Sequence, residues 1–208
     1  MTRSRWAMPM QRDVTLEQFA RSRMPDAAPE PLGPGAVLLR AFAMAQDGAL
    51  LTALLEVAGR SPFRHMTTPG GYRMSVAMTN CGACGWITDE TGYRYGAVDP
   101  STDARWPPMP LVFRDVATDA AAAAGFGGFA PDACLISRYE PGARLSLHQD
   151  KDEIDLESPI VSISLGLPAV FLFGGHRRSD PPRRVPSRMV MWWCGGGRRG
   201  CDITASCR

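Results

Sequence analysis

His148-Gln-Asp150 is the most pointed chemistry in this 208-residue chain. If the segment leading to it is extended, residues i and i+2 share one face, so an imidazole and a carboxylate could chelate one metal ion there. Histidine plus carboxylate is two-thirds of the facial triad that leaves three positions open on Fe(II). The same spacing also fits a surface histidine followed by an acidic turn of Asp150, Asp152, Glu153 and Asp155. Cysteine suggests a second metal chemistry. Cys81-Gly-Ala-Cys84 has the spacing of half a zinc site, and Cys194, Cys201 and Cys207 crowd the C-terminal end. A four-cysteine site would need a long span with no second C-x-x-C, so reduced thiols are the simpler expectation.

The elements that must hold these groups follow from spacing. Residues 1–34, rich in Pro, Arg, Met and Ala, read as a loosely held extension. From Asp47 the apolar residues Leu50, Leu51, Leu54, Leu55 and Ala58 recur at helical spacing, with Gly59 near the stop. Residues 110–124 predict a second helix, with Pro110 at its start and Gly125 after its end. Residues 67–103, dense in Gly, Thr, Tyr and Trp, predict short strands and loops, a surface suited to recognition. After Gly125 the period changes to two. Strands are expected over 134–139, 144–148, 159–165 and 169–173, each bounded by Gly or Pro. Short strands with tight turns suggest an antiparallel jelly roll or barrel. Residues 187–208 lack this alternation and do not read as the end of such a sheet. His65 and His176 read as surface loop residues.

Hydrophobic residues make up 45% and charged residues 21%, ordinary for a soluble globular protein. No run is long and apolar enough for a membrane span or a signal peptide, so a cytoplasmic protein is expected. The net charge of +2 is unevenly spread. Beyond His176, arginines 177, 178, 183, 184, 188, 198, 199 and 208 face only Asp180 and Asp202, which leaves the rest of the chain acidic. Any nucleic-acid contact is therefore local rather than a basic coat.

Four stretches carry a resemblance: Met66-Thr-Thr-Pro-Gly-Gly-Tyr-Arg-Met-Ser-Val-Ala-Met-Thr-Asn-Cys-Gly82, Pro131-Asp-Ala-Cys-Leu-Ile-Ser-Arg-Tyr139, Pro141-Gly-Ala-Arg-Leu-Ser-Leu-His-Gln-Asp-Lys-Asp-Glu153, and residues 159–175. Over roughly residues 33–186 the chain resembles the AlkB family of Fe(II)/2-oxoglutarate dioxygenases, of the bacterial DNA-repair type. The resemblance implies an α+β, mainly β fold: a double-stranded β-helix (jelly roll) with N-terminal helices and a nucleotide-recognition lid. The domain would span 35–186, with the lid at about 65–103 and the jelly-roll core from about 130. It further implies oxidative dealkylation of bases such as 1-methyladenine and 3-methylcytosine in single- or double-stranded DNA, with RNA left open, by a monomer. Fe(II) would act with the cosubstrates 2-oxoglutarate and O2, and the hydroxylated methyl group would leave as formaldehyde. The damaged base must leave the stack, at a cost of a few kcal/mol.

Residue by residue, His148 and Asp150 match the catalytic iron ligands. Tyr139 matches a tyrosine that bonds 2-oxoglutarate, and Ser137 stands where the pattern has an asparagine with the same role. Trp86 matches the aromatic that stacks on the flipped base, Tyr93 and Tyr95 the lid tyrosines. Thr68, Tyr72, Met74, Ser75 and Met78 match the substrate side of the lid. Asp152 and Glu153 sit where the base edge is read, and Arg178 beside the damaged nucleotide. Plain packing is the competing explanation for Tyr139, Met74, Met78, Trp86 and the lid tyrosines, and a solvated pair for Arg177 and Arg178. A non-catalytic nucleic-acid-binding module and a structural zinc protein are the alternative classes.

The family's third iron ligand, a distal histidine, and its cosubstrate-binding arginines have no match here. His176 is the one histidine after His148. Residues 187–208 are expected to be an aberrant, frameshifted tail. Met and Trp have single codons, so joining the last base of each codon to the next two forces valine at Met191-Trp192, Trp192-Trp193 and Trp193-Cys194. Glycine is forced at Met189-Val190. The neighbouring frame thus resembles the family's Gly-Asp-Val-Val-Val-Trp-Gly-Gly, and Asp202-Ile-Thr-Ala205 permits its Tyr-His-Gly. Sequencing the coding DNA checks this: a histidine codon is expected across the Ile203-Thr204 junction, and its absence ends the reading.

Overall fold

The computed structural model describes residues 28–148, 158–166, 169–174, 180–187, 190–194 and 206–207. Its strands are β1 (Glu30–Gly33), β2 (Ala36–Arg40), β3 (Arg64–Thr67), β4 (Arg73–Gly82), β5 (Gly85–Asp89), β6 (Gly92–Gly96), β7 (Val98–Asp99), β8 (Ala104–Arg105), β9 (Ala133–Arg138), β10 (Ile160–Ile163), β11 (Ala169–Phe173), β12 (Arg183–Ser187), β13 (Val190–Cys194) and β14 (Ser206–Cys207). Helix α1 (Asp47–Arg60) follows β2, and α2 (Leu111–Ala123) follows β8. Eight strands join in one sheet, in the order β1-β2-β13-β10-β14-β9-β4-β3. Hairpins β5/β6, β7/β8 and β11/β12 form separate two-stranded sheets.

Both helices lie on one face of the large sheet because each carries a single apolar stripe. Leu50, Ala53 and Val57 are buried on α1, and Phe113, Val116, Ala117, Ala120 and Ala121 on α2. They pack with Leu39, Cys81, Cys134, Ile136 and Val161 from the strands. On α2 the buried face is mostly small, with Ala117, Ala120 and Ala121 beside Phe113 and Val116. The opposite face is covered by smaller pieces. Leu38 meets Phe171 and Val185 of hairpin β11/β12 there, and Met66, Val76 and Met78 form a third cluster. Glu30 fastens that hairpin to the sheet edge, with Arg40 at 3.0 Å and Arg183 at 2.6 Å.

Several expectations need correction. Residues 30–33, read as part of an extension, form β1, because an antiparallel ladder with β2 recruits their main chain regardless of composition. Residues 1–27 lie outside the described residues. The stretch 144–148 is not a strand, although half-buried and exposed residues still alternate along it. The expected strand at 159–165 contracts to Ile160–Ile163, and the helix expected over 110–124 is α2, with Pro110 as its N-cap. His65 is no loop residue: it sits on β3 with Nδ1 2.9 Å from the Met74 carbonyl. His176 is outside the described residues.

The tail does contribute strands, against expectation. β13 pairs with both β2 and β10, and β14 lies between β10 and β9. Ladder hydrogen bonds come from the main chain and need no side-chain alternation. The main chain of Val190–Cys194 is paired along both edges, with β2 and with β10, whatever the side-chain pattern. Among the described residues no helix is long and apolar enough to cross a membrane.

The helix-side core carries a direct test. Leu50 is 1% exposed, and Leu50→Ala should lower unfolding free energy by ~2–5 kcal/mol through lost burial and a residual cavity. Urea titration measures it, and a change below ~1 kcal/mol contradicts this packing.

Candidate functional site

The β4–β9 pair sorts its side chains between two faces. The register sets Met78 opposite Ser137, Asn80 opposite Leu135 and Cys81 opposite Cys134. Directly opposed residues share a face, and neighbours along a strand alternate. Cys81, Cys134 and Ile136 therefore point at the helices, where they are buried. Met74, Val76, Met78, Leu135 and Ser137 point the other way. Met66, Trp86, Ala143 and Leu145 close over them. This second face is the floor of the candidate site.

Hairpin β5/β6 forms one wall. Trp86 opposes Tyr95 and Thr88 opposes Tyr93, so all four share a face of the hairpin. The Trp86 and Tyr93 rings stack at 5.6 Å between centroids, 21° between planes. Trp86 is anchored through its main chain: Asn80 Nδ2 donates to its carbonyl and Asn80 Oδ1 accepts from its N–H, both at 3.0 Å. Asn80, 0% exposed, was missed by sequence reasoning, since nothing local marks an asparagine in an apolar strand as a clip for a neighbouring hairpin. Asp89 and Arg94 pair across the hairpin tip, and that pairing holds the Asp89 carboxyl below the usual range.

Residues 68–72 make a tight turn in which the Thr68 main chain bonds both Tyr72 and Gly71 at 2.8 Å. Thr68 Oγ1 accepts from the Tyr72 amide at 3.2 Å. Gly71 adopts φ +80, a conformation that favours glycine. The turn leaves Tyr72 78% exposed. Ser75 Oγ donates to the Arg144 carbonyl at 2.8 Å and accepts from its amide at 3.1 Å. One hydroxyl thus binds the segment leading to His148 onto β4 in place of a ladder, and Leu145 packs beneath. Met78 is 1% exposed, a packing residue of the floor, and Met74 lies partly buried against the same cluster.

Ser137 Oγ is buried with no hydrogen-bond partner among the described residues. A buried hydroxyl without a partner costs ~1–3 kcal/mol, and an oxygen-bearing ligand would recover it. Two residues along stands Tyr139, 38% exposed, whose phenol pKa is pushed up by burial. It is therefore a neutral hydrogen-bond donor at neutral pH. His148 is exposed, with Nδ1 2.9 Å from the Ser146 carbonyl. A carbonyl only accepts, so Nδ1 is the donor in that contact. Asp150, Asp152, Glu153 and Arg178 lie outside the described residues. The structure brings together Met74, Met78, Trp86 and Tyr93 around the Ser137 floor, and sets Tyr72 at the rim. Among the described residues no group of three or more His, Cys, Asp or Glu could hold a metal, and Cys81 of the zinc expectation packs in the helix-side core.

A second network lies behind the hairpin. Asp99, 1% exposed, accepts from Ser61 Oγ at 2.6 Å and from the Ser101 amide at 2.9 Å, and pairs with Arg64 at 2.8 Å. Burial alone would raise its pKa. The bonds from Ser61 and Ser101, with the Arg64 charge, outweigh that and hold the carboxyl below its ordinary value.

The antiparallel, mainly β scaffold is shared with known proteins. The profile of the 2OG-Fe(II) oxygenase superfamily matches residues 35–189. The solved structure of OsALKBH1 superposes with a TM-score of 0.69 at 27% identity, covering 85% of each chain. The chain thus belongs to the 2OG-Fe(II) oxygenases, with their jelly-roll fold. The alpha-ketoglutarate-dependent dioxygenase AlkB of Salmonella typhimurium is 64% identical over 162 residues, 77% of this chain and 75% of that protein. AlkB of Escherichia coli K12 is 59% identical over the same shares. Human ALKBH1, a nucleic acid dioxygenase, is 32% identical over 97 residues, 47% of this chain and 25% of its own length. Within the superfamily the chain is a member of the AlkB family, whose cofactor is Fe(II) and whose cosubstrates are 2-oxoglutarate and O2.

The Asp99 network predicts a pH dependence. A carboxyl held below its unfolded value stabilises the fold above the ordinary carboxylate range and loses that contribution as pH falls. Urea midpoints should start to drop below about pH 5 and go on dropping below about pH 4, as the pH passes the ordinary carboxyl value and then the lowered one. In Asp99→Asn the midpoint at pH 6 should be lower and the drop shallower. An equal drop in both proteins contradicts the assignment.

Proposed function

We propose that the chain is built for oxidative dealkylation of N-alkylated bases in nucleic acid, 1-methyladenine and 3-methylcytosine among them. The observation that carries this reading is the Trp86–Tyr93 stack over a floor that contains the unpartnered Ser137 hydroxyl. A flat aromatic pair suits an extruded base, and base–aromatic stacking is sequence-tolerant. The nucleic-acid substrate class is supported by relatives: ALKBH1 proteins named nucleic acid dioxygenases and a fission-yeast tRNA demethylase 37% identical over 70 residues.

In this reading residues 35–186 are the dioxygenase domain, with the lid at about 65–103 and the core from about 130. His148 and Asp150 would hold Fe(II). When bound, Fe(II) with 2-oxoglutarate and O2 supplies the oxidising power that hydroxylates the N-alkyl group, which then leaves as an aldehyde. Tyr139 donates its phenolic hydrogen to a cosubstrate carboxylate, and the Ser137 hydroxyl, shorter than an amide, makes the second contact. Trp86, backed by the Tyr93 ring, stacks on the base, Tyr93 and Tyr95 line the lid beside it, and Thr68 and Ser75 hold the lid's main chain so that Tyr72 and Met74 meet the flanking strand over Met78. Asp152 and Glu153 read the base edge, and Arg178 bonds the phosphate beside the lesion. The protein acts as a cytoplasmic monomer.

Residues 187–208, read as a shifted frame, supply neither a distal histidine nor the arginine clamp on the cosubstrate. A charge-assisted bidentate clamp is about twice as strong per bond as a neutral one, so its loss outweighs the Ser137 contact. The chain therefore holds metal and 2-oxoglutarate weakly, and the missing ligand favours a second reading, a nucleic-acid-binding module with little turnover.

Fluorescence anisotropy with a single strand containing one 1-methyladenine tests the proposal. Binding is expected without added metal, and Trp86→Ala should weaken it by roughly five- to a hundredfold, the worth of one stacked base. Equal affinity of parent and variant refutes the platform. With Fe(II), 2-oxoglutarate and O2 added, little or no formaldehyde is expected; sustained release contradicts the impairment.

A further inference from the structure

The aromatic wall is held from behind by residues that the family chemistry does not use. β5 and β6 open at the pair Gly85–Gly96, and Trp106 grips both members. Its Nε1 donates to the Gly96 carbonyl at 2.8 Å. Its ring lies so close to Gly85 that a Cβ there would come within 2.5 Å of Trp106 Cε2 and 2.6 Å of Asn80 Cβ. Glycine at 85 is thus dictated by close approach. The Arg64 guanidinium lies over the Trp106 ring, 5.1 Å from its centroid, and is tied to Asp99 at 2.8 Å and Ser101 at 3.1 Å. Asp99 follows Gly96 by three residues, so the clamp closes on the hairpin's own exit strand. On the other side of the same pair, Asn80 bonds the Trp86 main chain twice.

The geometry points to Asn80, Trp106, Arg64 and Asp99 as positioning residues that fix the base of hairpin β5/β6 and thereby set Trp86 at the height needed to discriminate a methylated base. This deepens the functional reading above and rests on it. Two observations argue for a positioning role beyond simple stability. Hairpin β5/β6 belongs to no larger sheet, so side-chain bonds replace the ladder that would otherwise register it. Arg64 also keeps Nη2 buried without a hydrogen-bond partner among the described residues, a cost that an apolar residue of similar size would avoid. A stacked guanidinium tolerates that cost because its planar face is fixed by Trp106 while its Nη1 is fixed by Asp99 and Ser101.

The test uses the full chain with Trp106→Phe, which keeps a ring but deletes the bond to Gly96, and Asn80→Ala, which deletes both bonds to Trp86. Leu50→Ala serves as a control destabilised on the helix side. Backbone amide exchange across residues 85–96 should rise roughly tenfold in each clamp variant, the scale of one or two lost hydrogen bonds, with the β4–β9 ladder unchanged. Preference for a 1-methyladenine strand over its unmodified counterpart should fall at least about fivefold in both, while Leu50→Ala keeps it despite a lower melting temperature. Unchanged exchange at 85–96 in both variants overturns the clamp, and so does equal loss of preference in Leu50→Ala. A parent that shows no preference refutes the nucleic-acid reading alone, and the exchange rates still decide the clamp.

Discussion

The antiparallel pairing of β4 with β9 is the constraint on which the rest of the structure depends. Both strands are covered on both faces, so their register decides which side chains build the core and which build the site. With Met78 opposite Ser137, the cysteines and Ile136 go to the helices and Ser137 goes to the opposite face. A slip of one residue would send Ser137 into the helix-side core and Cys134 to the site. The packing of α1 and α2 and the floor under Trp86 are thus two consequences of one ladder.

Elements outside that ladder are attached by side chains. Asn80 holds Trp86, Ser75 holds Arg144, and Glu30 holds β11/β12 through Arg183. Such clips let a recognition hairpin and the segment carrying His148 stand off the sheet, as a ladder would flatten them onto it. An aromatic pair packed against an apolar floor that carries one unpartnered hydroxyl suits a base-modifying oxygenase, and the family match over residues 35–189 covers all of these parts except Glu30.

Much of this was legible before any fold was known. The helix from Asp47, the alanine-rich second helix and the strands near 134–139 and 169–173 announce themselves by local period, but of the expected stripe Leu51 and Leu55 face solvent while Ala53 and Val57 are buried beside Leu50. The family motifs single out Trp86, Tyr139 and His148 as candidates together. What stayed hidden depends on distant partners. Residues 30–33 carry no strand signal of their own and become β1 only because β2 folds back on them. Residues 144–148 do alternate, but alternation reports burial rather than pairing, and Ser75 supplies the attachment instead. Residues 190–194 lack alternation, yet an interior strand does not require it. Asn80 and Asp99 read as ordinary polar residues until the hairpin base closes around them.

The central claim, that the β4–β9 face beneath Trp86 receives an alkylated base, is tested most directly by methyl NMR of the methionines during titration with a 1-methyladenine single strand. Met74 and Met78, on the floor, should shift together, while Met109, on the helix-side core, stays in place. Shifts confined to Met109, or none at Met74 and Met78 at saturating strand, would contradict the account.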